Sequence, residues 1–445
     1  MRDSRLDNII IFLVGVQIFL RASFFNIALI PGLDIVGSSS FGIHDLLFFI
    51  LLIVVFIKIL SNGKNGLEKT LPALFLSLFL LMGLFGVVNA VLSGTGFHLA
   101  AREARGFFLY ILYYVILSLS PTNRNISKLI KVLTIIAVLT SFISILQVLM
   151  GDRFEFIYAK VHTLRTMGND IEGVTRVSSG GLSTINLAFF IYLTSLFQKM
   201  NKRIILITVL LCLGIFLSFN RGAWLSIALG LIGMFPFINR DFKKSYVKFL
   251  FIFGVLGALL LSVGMYGGFG DKIKGYTIAG VERFASLMPS NLEEDGSTLG
   301  RINETKKVYA KFLLRPFVGY GLGAVTQENI IVRGEGKFRE KVSGWGYVHN
   351  GYLYILFKLG FLGLSIFLVF IISFVSRSLR GLRYIKDKKI IPVYVGSLLF
   401  IVSIIPHSIA SPRIMEDNYI IIIAIACGLI ELSRHIAVNK IGEQE

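Results

Sequence analysis

The chain has 445 residues, 55% of them hydrophobic and only 16% charged, with a mean hydropathy of +0.75; a soluble domain of that length would be far less apolar. Its net charge of +19 is spread over many short connectors with no basic helix interleaved with aromatics, which argues against a nucleic-acid partner. The two cysteines, Cys212 and Cys427, both lie in apolar segments, so a disulfide framework is not expected and a metal site built on thiolates is excluded by count.

A membrane-spanning helix needs about 20 predominantly apolar residues. Such segments occur in chain order at 9–30, 43–60, 71–93, 106–120, 128–150, 179–198, 203–219, 222–238, 247–266, 350–376, 390–410 and 417–434. The first follows Met1-Arg2-Asp3-Ser4-Arg5 and is too long for a signal-peptide core, so it is expected to be retained. The fourth is short, and only the turn Phe219-Asn220-Arg221 separates the seventh from the eighth. The expectation is an all-α integral membrane protein of about 12 transmembrane helices, without internal repeats or low-complexity stretches. Residues 1–266 hold spans one to nine, 267–346 form one long connector, and 347–445 hold spans ten to twelve and a tail.

Sidedness follows from the Lys/Arg bias of short loops. One alternating set of connectors holds 22 such residues, from Arg2 and Arg5 through the six between Arg377 and Lys389 to Lys440. The other short connectors hold eight, namely Arg102, Arg105, Arg153, Lys160, Arg165, Arg176, Arg221 and Arg413. The richer set is expected inside, with both termini, and the long connector outside.

Basic residues in short outer loops oppose that bias and need a reason. Arg221 sits in Leu217-Ser218-Phe219-Asn220-Arg221-Gly222-Ala223-Trp224, where it either reaches lipid phosphate beside an interfacial Trp224 or faces the bundle as a functional group. In the long connector, Gly300-Arg301-Ile302-Asn303-Glu304-Thr305 opens a stretch whose apolar positions Ile302, Val308, Tyr309, Phe312 and Leu313 fall mostly on one helical face. The pattern predicts an amphipathic helix on the membrane, capped by Ser297 or Thr298 and ended by Arg315-Pro316, with Arg301 in its first turn as a solvated or a functional arginine.

Gly319-Tyr320-Gly321-Leu322-Gly323 follows; with no strand before it, tight backbone approach accounts for these glycines better than dinucleotide binding does. At the next membrane entry stands Gly346-Tyr347-Val348-His349-Asn350-Gly351-Tyr352. His349, one of six histidines, is either an interfacial hydrogen-bonding residue or a proton acceptor near neutral pH. Two arginines and a histidine on one side of a membrane suit an anionic substrate with a transferable group. Arginine forks match phosphate oxygens and stay charged, and a histidine can take a proton from an attacking hydroxyl.

These segments, in this order, with Val348-His349-Asn350-Gly351-Tyr352-Leu353 running on to Leu359-Gly360-Phe361-Leu362-Gly363, resemble the O-antigen ligase and polymerase superfamily over most of the chain. The resemblance implies a GT-C-type glycosyltransferase of the bacterial inner membrane, working at its periplasmic face without a cofactor or metal. The implied donor is a glycan on undecaprenyl pyrophosphate. The implied acceptor is lipid A–core for a ligase, the favoured reading, or another lipid-linked repeat unit for a polymerase. By motif match Arg221 and Arg301 bind the donor pyrophosphate and His349 activates the acceptor hydroxyl; Arg102, Arg105, Asn350 and Tyr352 are further candidates. Lys358 departs from the acidic or polar residue that relatives often carry there, and Tyr309 from a frequent tryptophan, which leaves the acceptor open. A transporter or flippase is the competing class, but proton-coupled carriers usually need carboxylates within spans, and here Asp45, Glu103, Glu416 and Asp417 lie at span ends.

Overall fold

The computed structural model describes residues 2–22, 42–62, 70–150, 161–166, 169–177, 180–218, 220–235, 296–333 and 339–442, with a few isolated positions between 243 and 281. The expected span at 247–266, the end of the first span beyond Ala22 and residues 282–295 of the long connector lie outside them.

Among the described residues six helices are long and apolar enough to cross a membrane. In chain order the helices are α1 (Arg2–Arg21), α2 (Ile43–Asn62), α3 (Leu71–Leu92), α4 (Phe97–Phe107), α5 (Leu112–Leu117) and α6 (Asn123–Met150). They continue with α7 (Leu182–Gln198), α8 (Lys202–Leu217), α9 (Arg221–Met234), α10 (Gly296–Leu314), α11 (Gly351–Gly381), α12 (Ile391–Ala410) and α13 (Asp417–Gly442). The expected fourth span is realised in pieces: α4, a 3-10 turn at Phe108–Ile111, then α5. Two antiparallel hairpins not foreseen in the sequence lie in the connectors: β1 (Val161–Thr166) with β2 (Asn169–Val177), and β3 (Gln327–Arg333) with β4 (Arg339–Trp345). Hydropathy that counts spans does not register them, because short strands leave no long apolar run.

α13 is the central helix, with 89% of its most apolar stretch buried, whereas α2 buries only 22% of its own. Around the centre, α12 packs on α7, α9 and α13, and α11 packs on α3. On α2 the outward residues are Leu46, Phe49, Ile53, Phe56 and Leu60, each more than half exposed. An unbroken apolar stripe at helical spacing is untenable in water and is what a lipid-facing helix presents. The molecule is a multi-pass membrane protein.

The helix ends sort into two groups. At one end Asp7 of α1 pairs with Lys58 of α2 and accepts from Asn125 Nδ2 of α6 at 2.8 Å, while Arg377 of α11 meets Glu431 of α13 at 3.1 Å. At the other, Arg21 of α1 meets Asp417 at the start of α13 at 2.8 Å, and Gly351 at the start of α11 packs beside Ser408, Pro412 and Ile414. The first group is the Lys/Arg-rich set of connectors; the second holds every candidate site residue.

Candidate functional site

The site is assembled from three segments that meet at the last turn of α12. The first is the α8–α9 turn. Asn220 caps α9 by accepting from Ala223 N at 3.2 Å, a short polar side chain doing what N-caps require. That cap makes Arg221 the first residue of the helix, half-buried. Trp224 does not stand free at an interface: its indole stacks on Phe216 with centroids 5.0 Å apart and donates from Nε1 to Ile215 O at 3.2 Å, pinning the two helices together. Gly222 lies so close to α12 that an added Cβ would come within 2.5 Å of His407 Nε2.

The second segment is α10, which begins at Gly296, so that Ser297 and Thr298, expected as its cap, lie inside its first turn. Its buried side carries Val308, fully enclosed, and Lys311, which donates to Val325 O at 3.3 Å. The opposite side exposes Ile302, Tyr309 and Leu313, an apolar face suited to lying along a membrane surface. Arg301 donates to Ala410 O at the end of α12, at 3.1 Å. Gly222, the neighbour of Arg221, and Arg301 thus both lie against one turn of α12.

The third segment is the entry to α11. Val348, fully buried, sits in a small apolar cluster with Val308, Ala324, Leu353 and Phe357. Next to it, His349 is held by Glu304 of α10: one carboxylate oxygen, Oε2, lies 2.8 Å from the ring Nδ1 and accepts the backbone N–H of His349 at 2.9 Å. The Tyr347 ring stands edge-on to the imidazole at 5.0 Å and its hydroxyl donates to Glu416 Oε1 at 3.0 Å. Burial, together with the Glu416 carboxylate, pushes the Tyr347 phenol well above its ordinary range, so it remains a donor at physiological pH. Glu416 also pairs with Arg413, whose guanidinium lies over Tyr419 at 4.7 Å and reaches His407 Nε2 at 3.4 Å.

The other candidates occupy different positions. Asn350 is the N-cap of α11, accepting from Tyr352 N and Leu353 N at 3.0 Å each, and Tyr352 donates its hydroxyl to Ile405 O at 2.8 Å. Both hold the site's frame. Arg105 donates to the buried Asp45 at 3.0 Å, in a cluster with Arg21 and Asp417; that cluster adjoins the Arg413–Glu416 pair through Asp417, the next residue along. Arg102 is exposed on α4.

The sequence gives Glu304 and Tyr347 no role beyond membership of their motifs, marks Glu416 only as an acid at a span end and Arg413 only as a count in the charge bias, and does not single out His407. The signal for Glu304 was present, since it stands three residues after Arg301 and therefore on the same helical face. The others depend on a chain reversal that periodicity does not disclose.

Residues 206–368, which hold Arg221, Arg301, Glu304 and His349, match a family model described as O-antigen ligase. No curated protein matches the chain. The match supports placement in the O-antigen ligase and polymerase superfamily.

Proposed function

We propose that this chain, whose residues 206–368 match the O-antigen ligase family, is a membrane glycosyltransferase. It moves a glycan from undecaprenyl pyrophosphate to an acceptor hydroxyl at the outer face of the bacterial inner membrane, in a GT-C-type bundle. The observation that supports this reading is that Arg301 donates to Ala410 O at the end of α12, that Gly222, next to Arg221, packs on His407 of the same turn, and that Glu304, one turn after Arg301, holds His349.

The two guanidinium groups bind the pyrophosphate and stabilise its charge as it departs. The acceptor O–H attacks the anomeric carbon, the bond from that carbon to the pyrophosphate oxygen breaks, and the proton passes to the imidazole of His349 and on to water. One displacement inverts the anomeric configuration. More than a third of the His349 side chain remains exposed, which leaves room for a hydroxyl.

Ligation to lipid A–core is the reading we favour; polymerisation of lipid-linked repeat units uses the same donor chemistry. Deleting the gene in its host separates them. Loss of all lipid A-linked polymer with accumulation of lipid-linked polymer is the ligase result, and attachment of single repeats is the polymerase result. Surface glycan unchanged in both amount and length would contradict the proposal.

A further inference from the structure

We propose that Glu304 is the positioning residue of the transfer site, fixing His349 in the tautomer that leaves Nε2 as its acceptor. The inference rests on the reading of His349 as the group that takes the proton. An ionised carboxylate has no hydrogen to give. With Oε2 of Glu304 at 2.8 Å from Nδ1, the neutral imidazole carries its hydrogen on Nδ1 and its lone pair on Nε2.

The grip is double. The same oxygen accepts the backbone N–H of His349 at 2.9 Å, so main chain and ring are tied to one point and rotation of the imidazole breaks a charge-assisted bond. Glu304 is itself well placed to hold still. Its side chain is 16% exposed, Arg301 one turn before it is tied to Ala410 O, and Val308 one turn after it is fully buried. The helix that presents a donor-binding arginine therefore also presents the group that orients the base. Tyr347, edge-on to the ring at 5.0 Å, closes another side of the imidazole. The purely structural alternative is that Glu304 only fastens the end of the long connector to α10.

The test uses the full-length protein in detergent or liposomes, with its histidines labelled with 15N. The His349 signal is identified by its loss in His349→Ala. Wild type is expected to show the pattern of hydrogen on Nδ1. Glu304→Ala should lose that pattern and turn over about 10–100-fold more slowly, while binding lipid-linked donor as wild type does, which shows that it is folded. Glu304→Gln, whose amide oxygen still accepts from the ring, should keep the tautomer and recover part of the rate. In the His349→Ala background Glu304→Ala should cost nothing further, since it acts through that ring. An unchanged tautomer in Glu304→Ala, or an equal loss in both backgrounds, overturns the positioning role alone. Wild-type transfer by His349→Ala overturns the base assignment itself, whatever tautomer the ring shows.

Discussion

The segments that carry Arg221 and Arg301 come to the end of α12 by different routes, one as the start of a capped helix and the other as a surface helix 80 positions along the chain. Each arginine is expected to contribute charge-assisted hydrogen bonds to the pyrophosphate worth about 1.5–3 kcal/mol, so replacement by Ala should cost about ten- to more than hundred-fold in transfer. Lysine at either position should recover only part of that, because a point charge lacks the planar fork. Protein level in the membrane should stay unchanged, and a transfer assay on membranes checks both. Near-normal transfer by Arg221→Ala would return it to a lipid-anchoring role. At this scale the sequence was legible where a residue type is rare or out of place, as with His349 and the outward arginines. It was illegible where the pairing joins distant segments: the face that Glu304 shares with Arg301 could be read, but not that it meets His349, nor that Glu416 meets Tyr347. An acid among many in a polar connector carries no mark of what it will face.

The element that frames the site is α11, and it is broken. Gly360 has φ +69°, in the left-handed region, and the segment 316–322 is laid against the break. Tyr320 N and Gly321 N donate to the carbonyls of Phe357 and Lys358 at 3.0 and 2.8 Å, and Phe361 N donates to Pro316 O at 2.8 Å. The freed backbone groups are thus satisfied by protein, the condition for interrupting a helix within a membrane. Gly321, at φ +87°, passes so close to α3 that a Cβ would lie 2.5 Å from Gly86 O and Ala90 N. The tight approach read from the glycine spacing is therefore real, while its target, a broken span, was hidden because hydropathy runs smoothly through Leu359-Gly360-Phe361.

Gly360→Ala should lower stability by about 1–3 kcal/mol through backbone strain alone, and its Cβ would also meet Phe317 O at 2.2 Å. A fall in the melting temperature of purified protein reads this out. Lys358 is buried and meets Glu103 of α4 at 2.8 Å and Ala324 O at 2.6 Å. Removing one partner of a buried pair costs about 3–5 kcal/mol, so Glu103→Ala should destabilise strongly, whereas apolar replacement of both residues should restore most of the loss.

Among the described helices the two groups of ends fall as the alternation derived from Lys and Arg expects, so the order of the described spans was legible from hydropathy and charge together. What escaped was finer: the broken fourth span, the two hairpins, and the depth at which helices such as α13 are enclosed by others instead of by lipid. The orientation remains a prediction. Reporter fusions after Lys64, Lys244 and Lys386 should read cytoplasmic and one near Glu335 external; an internal signal at Glu335 would place the site on the wrong side for this chemistry. The most direct test of the account's centre is made on purified protein with a lipid-linked donor, measuring donor binding and glycan transfer separately. His349→Ala should bind donor as wild type does and transfer about 10²–10⁴-fold more slowly, while Arg301→Ala should lose binding as well. Transfer by His349→Ala at the wild-type rate would contradict it.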